Sequence, residues 1–79
     1  MSDLTVYVTS WCPFCTRLAG DLDRAGIDFE AIDVDEHRDA AALVEQLNNG
    51  NRTVPTVVFA DGAALTNPPI AQVRAKLGI

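Results

Sequence analysis

The sequence predicts an α/β fold: one domain in the order β-α-β-α-β-β-α, with a four-stranded mixed sheet flanked by three helices. Three observations carry this. Two runs rich in β-branched residues, LTVYV and TVVFA, have the composition of buried strands. Between and after them, apolar residues recur at helical spacing. Gly, Asn, Pro and Asp-Gly steps fall where the chain must stop or turn. At 79 residues there is room for one small core, so residues 1–79 are read as a single domain.

LTVYV (Leu4 to Val8) is the first strand and runs straight into TSWCPFC. From Pro13 the pattern turns helical, with Phe14, Leu18, Leu22 and Ala25 as the apolar stripe and Gly26 as the stop. DFEAIDV (Asp28 to Val34) alternates polar and apolar residues and reads as a central strand with Asp33 at its end. Asp35 is the expected N-cap of a second helix over EHRDAAALVEQLN, with Ala40, Leu43, Val44 and Leu47 facing the core. NNGN (Asn48 to Asn51) breaks it. TVVFA (Thr56 to Ala60) is the next strand, and Asp61-Gly62 turns it back into AALT as an antiparallel hairpin. Asn67 is expected to cap a last helix with Pro68 in its first turn, Ile70, Val73 and Leu77 as its buried stripe, and Gly78 at its end. The first β-α-β unit should be parallel, and such a sheet needs helices on both faces, which makes a three-layer sandwich.

Composition narrows the function. Apolar residues make up 48% and charged residues 22%, as in a folded globular protein. The formal net charge of -5, with six scattered basic residues, argues against a nucleic-acid partner. No apolar run approaches the roughly 18 residues of a membrane span. MSDLTVYVTS lacks the basic start and apolar stretch of a secretory signal, so a cytoplasmic protein is expected. A monomer is expected.

The chain has two cysteines, Cys12 and Cys15, with Pro13 directly after the first. Cytosolic thiols are kept reduced, and a bridge across so short a loop gains little loop-closure entropy, so a structural disulfide is a weak reading. Pro13 places Cys12 at the N-cap and itself at the first helical position, where its missing N–H has no intrahelical partner to lose. The amides of Phe14 and Cys15 then point back toward the Cys12 sulfur. With the positive end of the helix dipole, they favour thiolate over thiol. The thiolate is the nucleophile of disulfide exchange, so Cys12 is the expected attacking group. Cys15 shares a face with Leu18 and Leu22, and is expected to be more buried, less acidic and placed to resolve. C-x-x-C at a strand-to-helix junction points to redox chemistry. A structural zinc site takes four Cys or His ligands, and only His37, in the polar start of the second helix, could add to the pair, so no metal ligands are assigned. An iron–sulfur or metal-binding module is the non-enzymatic alternative.

VYVTSWCPFC, followed downstream by NRTVPTVVF, resembles the glutaredoxins, a family of the thioredoxin fold, over nearly the whole chain. The resemblance implies a thiol-disulfide oxidoreductase. It also implies that Pro55 is cis and faces the site, and that the backbone of Val54 pairs with the incoming thiol like an added strand. Two departures stand out. Glutaredoxins that use glutathione carry a lysine three positions before the first cysteine, where this sequence has Thr9. They also carry Gly-Gly-x-Asp before the last helix, whose amides hold a carboxylate. The matching stretch here is TNPP (Thr66 to Pro69), and its two prolines remove two donors.

TSWC, GNRTVPTV, FADG and LTNP together resemble the mycoredoxins of actinobacteria, whose partner is mycothiol, a cysteine attached to a glucosamine–inositol head group. Thr9, Ser10, Thr66 and Asn67 are the expected hydrogen-bonding partners of its sugar hydroxyls. The family reading implies reduction of protein–mycothiol mixed disulfides by a Cys12 monothiol mechanism. Mycothiol is then the co-substrate, no cofactor is tightly bound, and mycothiolated proteins and, indirectly, mycothione reductase are the partners. A glutaredoxin-like potential of roughly -200 to -230 mV goes with it. The alternative is a dithiol electron donor to ribonucleotide reductase, whose usual Trp-Ser-Gly-Phe stretch has no match here.

Trp11 either packs beneath the loop or shields the site and contacts substrate. Phe14 lies in the exposed turn of the motif. Arg52 is either an ordinary surface charge or a cation, and is expected to face the thiolate; Thr53 is expected to hold the proline turn by hydrogen bonding first and to contact substrate second. Arg17 reads as a solvated helix residue, and Asp33 receives no catalytic role.

Overall fold

The computed structural model describes residues 4–79, so the reading of residues 1–3 as part of the N-terminal segment lies outside the described residues. The elements follow the expected order: β1 (Leu4–Val8), α1 (Pro13–Arg24), β2 (Phe29–Asp33), α2 (Arg38–Leu47), β3 (Thr56–Phe59), β4 (Ala64–Thr66) and α3 (Ile70–Leu77). The sheet runs β2-β1-β3-β4, with β1 parallel to β2 and antiparallel to β3, and β3 antiparallel to β4. The central strands are therefore β1 and β3. β2, read as central, is an edge strand, and its Glu30 and Ala31 are exposed. Its polar–apolar alternation was the mark of a strand covered incompletely, whereas strands buried on both faces read as near-continuous apolar runs.

Successive side chains on β1 and β3 point to opposite faces and divide the core in two. On one face Leu4, Val6, Val57 and Phe59 meet Leu18 and Leu22 of α1 and Val73 of α3. On the other, Tyr7 and Val34 meet Ala40, Ala41 and Val44 of α2, with Val58 packed beside them. This is the expected three-layer sandwich. No helix among the described residues is long and apolar enough to cross a membrane.

The helix ends explain where the boundaries moved. At the end of α1, Ile27 N–H bonds Leu22 O (3.0 Å) and Gly26 N–H bonds Asp23 O (3.1 Å). Gly26 stands at φ 72, the left-handed position that such a terminator needs. α2 begins at Arg38 with His37 as N-cap, two residues beyond the expected cap at Asp35. Asp35 is held in a turn instead, its N–H donating to Asp33 Oδ1 at 2.8 Å. The buried side of α2 is Ala40, Ala41 and Val44, and Leu47 from the expected stripe is 41% exposed. α3 starts at Ile70 with Pro69 as N-cap, so Asn67 is not its cap and Pro68 is not in its first turn. A residue before proline is pushed out of the helical region, and Pro68 precedes Pro69.

Candidate active site

Pro13 opens α1, and Cys12 caps it with extended dihedrals (φ -92, ψ 109). The Cys15 N–H donates to Cys12 Sγ at 3.2 Å, satisfying one of the amides that a helix N-terminus leaves free. Both cysteines are free thiols. Of the two amides expected at the sulfur, the structure supplies that of Cys15. The helix end favours negative charge on the capping atom.

The opposite wall is the loop before β3. The Val54–Pro55 bond is cis, as the resemblance implied, and Cys12 Sγ lies 3.9 Å from Val54 O. This contact is the weak S–H donation of a thiol, and it is lost when the proton leaves. Val54 is half-buried, and no hydrogen bond joins its N–H to another described residue. Asn67 N–H donates to Pro55 O at 2.7 Å, which docks the TNPP stretch against the cis-proline loop.

The expected difference in burial between the thiols is absent: Cys12 is 4% exposed and Cys15 3%. The Val54 carbonyl stands against the first sulfur at 3.9 Å. What sets the two thiols apart is their bonding, since Cys12 Sγ accepts the Cys15 N–H. Burial pushes the Cys15 thiol up to about 12, its hydrogen bond with Cys12 adds to this, and the Thr9 backbone opposes it.

Several expected site residues stand elsewhere than the sequence placed them. Trp11 does not pack beneath the loop. It is 71% exposed, with Nε1 donating to Asp35 Oδ2 at 3.2 Å. Phe14 is 58% exposed, consistent with its place in the turn. With Arg17, Leu18 and Asp21 it lines a groove of about 320 Å³ whose far side is Asn67 to Ile70. Arg52 does not serve as a cation for the thiolate: its Nε bonds Glu45 Oε2 on α2 at 2.7 Å. Glu45, with a smaller contribution from Asp35, raises the guanidinium pKa further. Thr9 is 6% exposed, its hydroxyl unpartnered among the described residues, so it offers nothing to a sugar at the surface. The chain turns under itself there, with Cys12 N–H reaching back to Thr9 O at 3.4 Å. Thr66 is exposed, but its hydroxyl already donates to Asn48 Oδ1 at 2.6 Å.

The turn expected to be held by the Thr53 hydroxyl is held by Thr56, whose Oγ1 donates to Thr53 O at 2.7 Å. Asn48, which the sequence marked only as a helix breaker, ties this region together. Its Nδ2 donates to Val44 O (2.8 Å) and to Thr56 Oγ1 (3.2 Å) while Oδ1 accepts from Thr66. Asparagine at a helix end is a common cap, and nothing local marks one that reaches two strands. His37 lines a second groove with Tyr7, Glu30 and Leu43. No group of three or more His, Cys, Asp or Glu suited to a metal ion occurs among the described residues.

Fold and thiol pair together place the molecule among the thiol-disulfide oxidoreductases of the thioredoxin fold. Within that class the chain belongs to the glutaredoxin family, whose sequence profile matches residues 4–63. It is 47% identical over 77 residues to Mycoredoxin 1 of Corynebacterium glutamicum, covering 98% of this chain and 95% of that one. A glutaredoxin-like protein of Mycobacterium tuberculosis is 51% identical over 74 residues, 94% of this chain and 88% of its own. Among solved structures, the methanoredoxin of Methanosarcina acetivorans superposes with a TM-score of 0.84 at 28% identity, over 99% of this chain and 86% of that one.

Proposed function

We propose that this glutaredoxin-family protein reduces mixed disulfides between proteins and mycothiol, with Cys12 as the sole essential thiol. The observation that carries the reading is the Cys12 sulfur at the tip of α1, accepting the Cys15 amide and facing the cis-proline loop. Cys12 thiolate attacks the mycothiol sulfur of the mixed disulfide. The old S–S bond breaks, the client leaves as a thiolate that takes up a proton, and Cys12 is left disulfide-bonded to mycothiol. A second mycothiol thiolate attacks the mycothiol sulfur of that bond, releasing oxidised mycothiol and regenerating Cys12 thiolate.

Cys15 competes poorly for this intermediate. Exchange rates depend on the thiolate fraction, and a thiol pushed up to about 12 is almost wholly protonated at neutral pH. The part of the shift due to Cys12 disappears once Cys12 is bonded to mycothiol, but burial, the larger cause, stays.

The choice of mycothiol over glutathione rests on missing anchors for carboxylates. Thr9 is buried where a lysine would stand, Arg52 is engaged by Glu45, and Pro68 and Pro69 contribute no amides ahead of α3. The likeness to Mycoredoxin 1 supports the same reading. The test is reduction of one small mixed disulfide with mycothiol or glutathione as the only thiol. Mycothiol should sustain turnover at least tenfold faster at equal concentration, a difference of about 1.4 kcal/mol. Equal rates would overturn the assignment.

A further inference from the structure

Trp11 adjoins Cys12 in the chain and is 71% exposed, yet its indole does not hang free. Nε1–H donates to Asp35 Oδ2, and Asp35 is itself fixed by the bond from its N–H to Asp33 Oδ1. Trp11 lies in the loop between β1 and α1 and Asp35 just after β2, so the bond ties the loop before α1 to the loop after β2. An exposed aromatic side chain held at its polar tip presents a fixed apolar face at low entropic cost. Beside it stands a carboxylate whose charge the indole N–H does not neutralise. The nearby cation, Arg52, is bonded to Glu45.

We infer that Asp35 is a positioning and specificity-determining residue: it sets the Trp11 indole as one wall of the thiol-binding site, and its charge selects an uncharged, sugar-bearing thiol over a carboxylate-bearing one. This rests on the proposed thiol reaction and gives it a second basis. Missing anchors make the site indifferent to carboxylates, whereas Asp35 makes it repel them. Repulsion between solvated charges is modest and screened by salt, over about 8 Å at physiological ionic strength. The discrimination contributed by Asp35 should therefore shrink as salt is added.

Two substitutions separate wall from charge. Asp35→Ala removes both, and Asp35→Asn keeps an acceptor for the indole without the charge. Trp11 is the only tryptophan, so its emission reports the wall directly. Asp35→Ala should shift that emission and raise the KM for mycothiol about fivefold, the worth of one ordinary hydrogen bond, with kcat little changed. Asp35→Asn should restore the emission and raise kcat/KM for glutathione several-fold at low salt, a gain that fades at high salt. Wild-type emission and KM in Asp35→Ala would overturn the wall. An unchanged glutathione-to-mycothiol ratio in Asp35→Asn would overturn the selection by charge. Equal use of both thiols by the wild-type protein would instead defeat the mycothiol reading, leaving the emission of Asp35→Ala to decide the wall.

Discussion

Two sulfurs three positions apart in the sequence meet different surroundings because one caps a helix and the other lies inside its first turn. Cys12 Sγ accepts an amide hydrogen, while Cys15 donates its own N–H and has its thiol pushed up by burial. The Cys12→Ser variant should lose all turnover, and Cys15→Ser should keep it; a coupled assay with the small mixed disulfide reads both. Equal loss would require a dithiol route. The raised Cys15 pKa also links to stability. Between 9.0 and about 12 the unfolded chain gives up this proton and the folded chain holds it, so the reduced protein should lose stability as pH rises through that window. Denaturant midpoints across it should fall more steeply for the wild-type protein than for Cys15→Ser. Thr9 offers a contrasting case. Its buried hydroxyl has no partner among the described residues, so Thr9→Val should raise stability by about 1 kcal/mol in urea unfolding. A loss would mean that the hydroxyl is satisfied.

Elements were legible wherever their ends carry a local signal. Pro13 at the start of α1, Gly26 after it and Gly78 after α3 were each read from one or two residues, because a proline or a left-handed glycine acts on the backbone beside it. The starts of α2 and α3 were misplaced because distant or overlapping demands override the local one. Asp35 could cap a helix but is engaged by Trp11, and Asn67 could cap one but is followed by two prolines. Asn48 shows the same limit for the site. It looks like a helix breaker and proves to join α2 to β3 and β4 beneath the cis-proline loop. Asn48→Ala should cost about 1–2 kcal/mol in urea unfolding and slow turnover by loosening that loop. Wild-type stability would show that the three bonds are replaced by water at no net cost.

At the scale of the whole molecule, the sheet order brings together the segments that the chemistry needs. β1 and β3 are neighbours, so the loop leaving β1 with Cys12 and the loop entering β3 with Pro55 meet at the same end of the sheet. β4 beside β3 then delivers Asn67 to Pro55. The β3–β4 pairing is written in the Asp61-Gly62 turn, whereas the meeting of the Cys12 and Pro55 loops is written in no one segment and was accessible only through the resemblance carried by the cysteine motif and the TVP stretch together. The charges around the site were the least legible part, since Glu45 and Asp35, far from the motif in sequence, decide what Arg52 and Trp11 do. Cys12 is the sulfur proposed to exchange with a small thiol, and every step of the proposed reaction passes through it. The most direct test is the intact mass of Cys15→Ser after exposure to oxidised mycothiol. One mycothiol should be found on Cys12 and be removed by added mycothiol; protein that stays unmodified under those conditions contradicts the account.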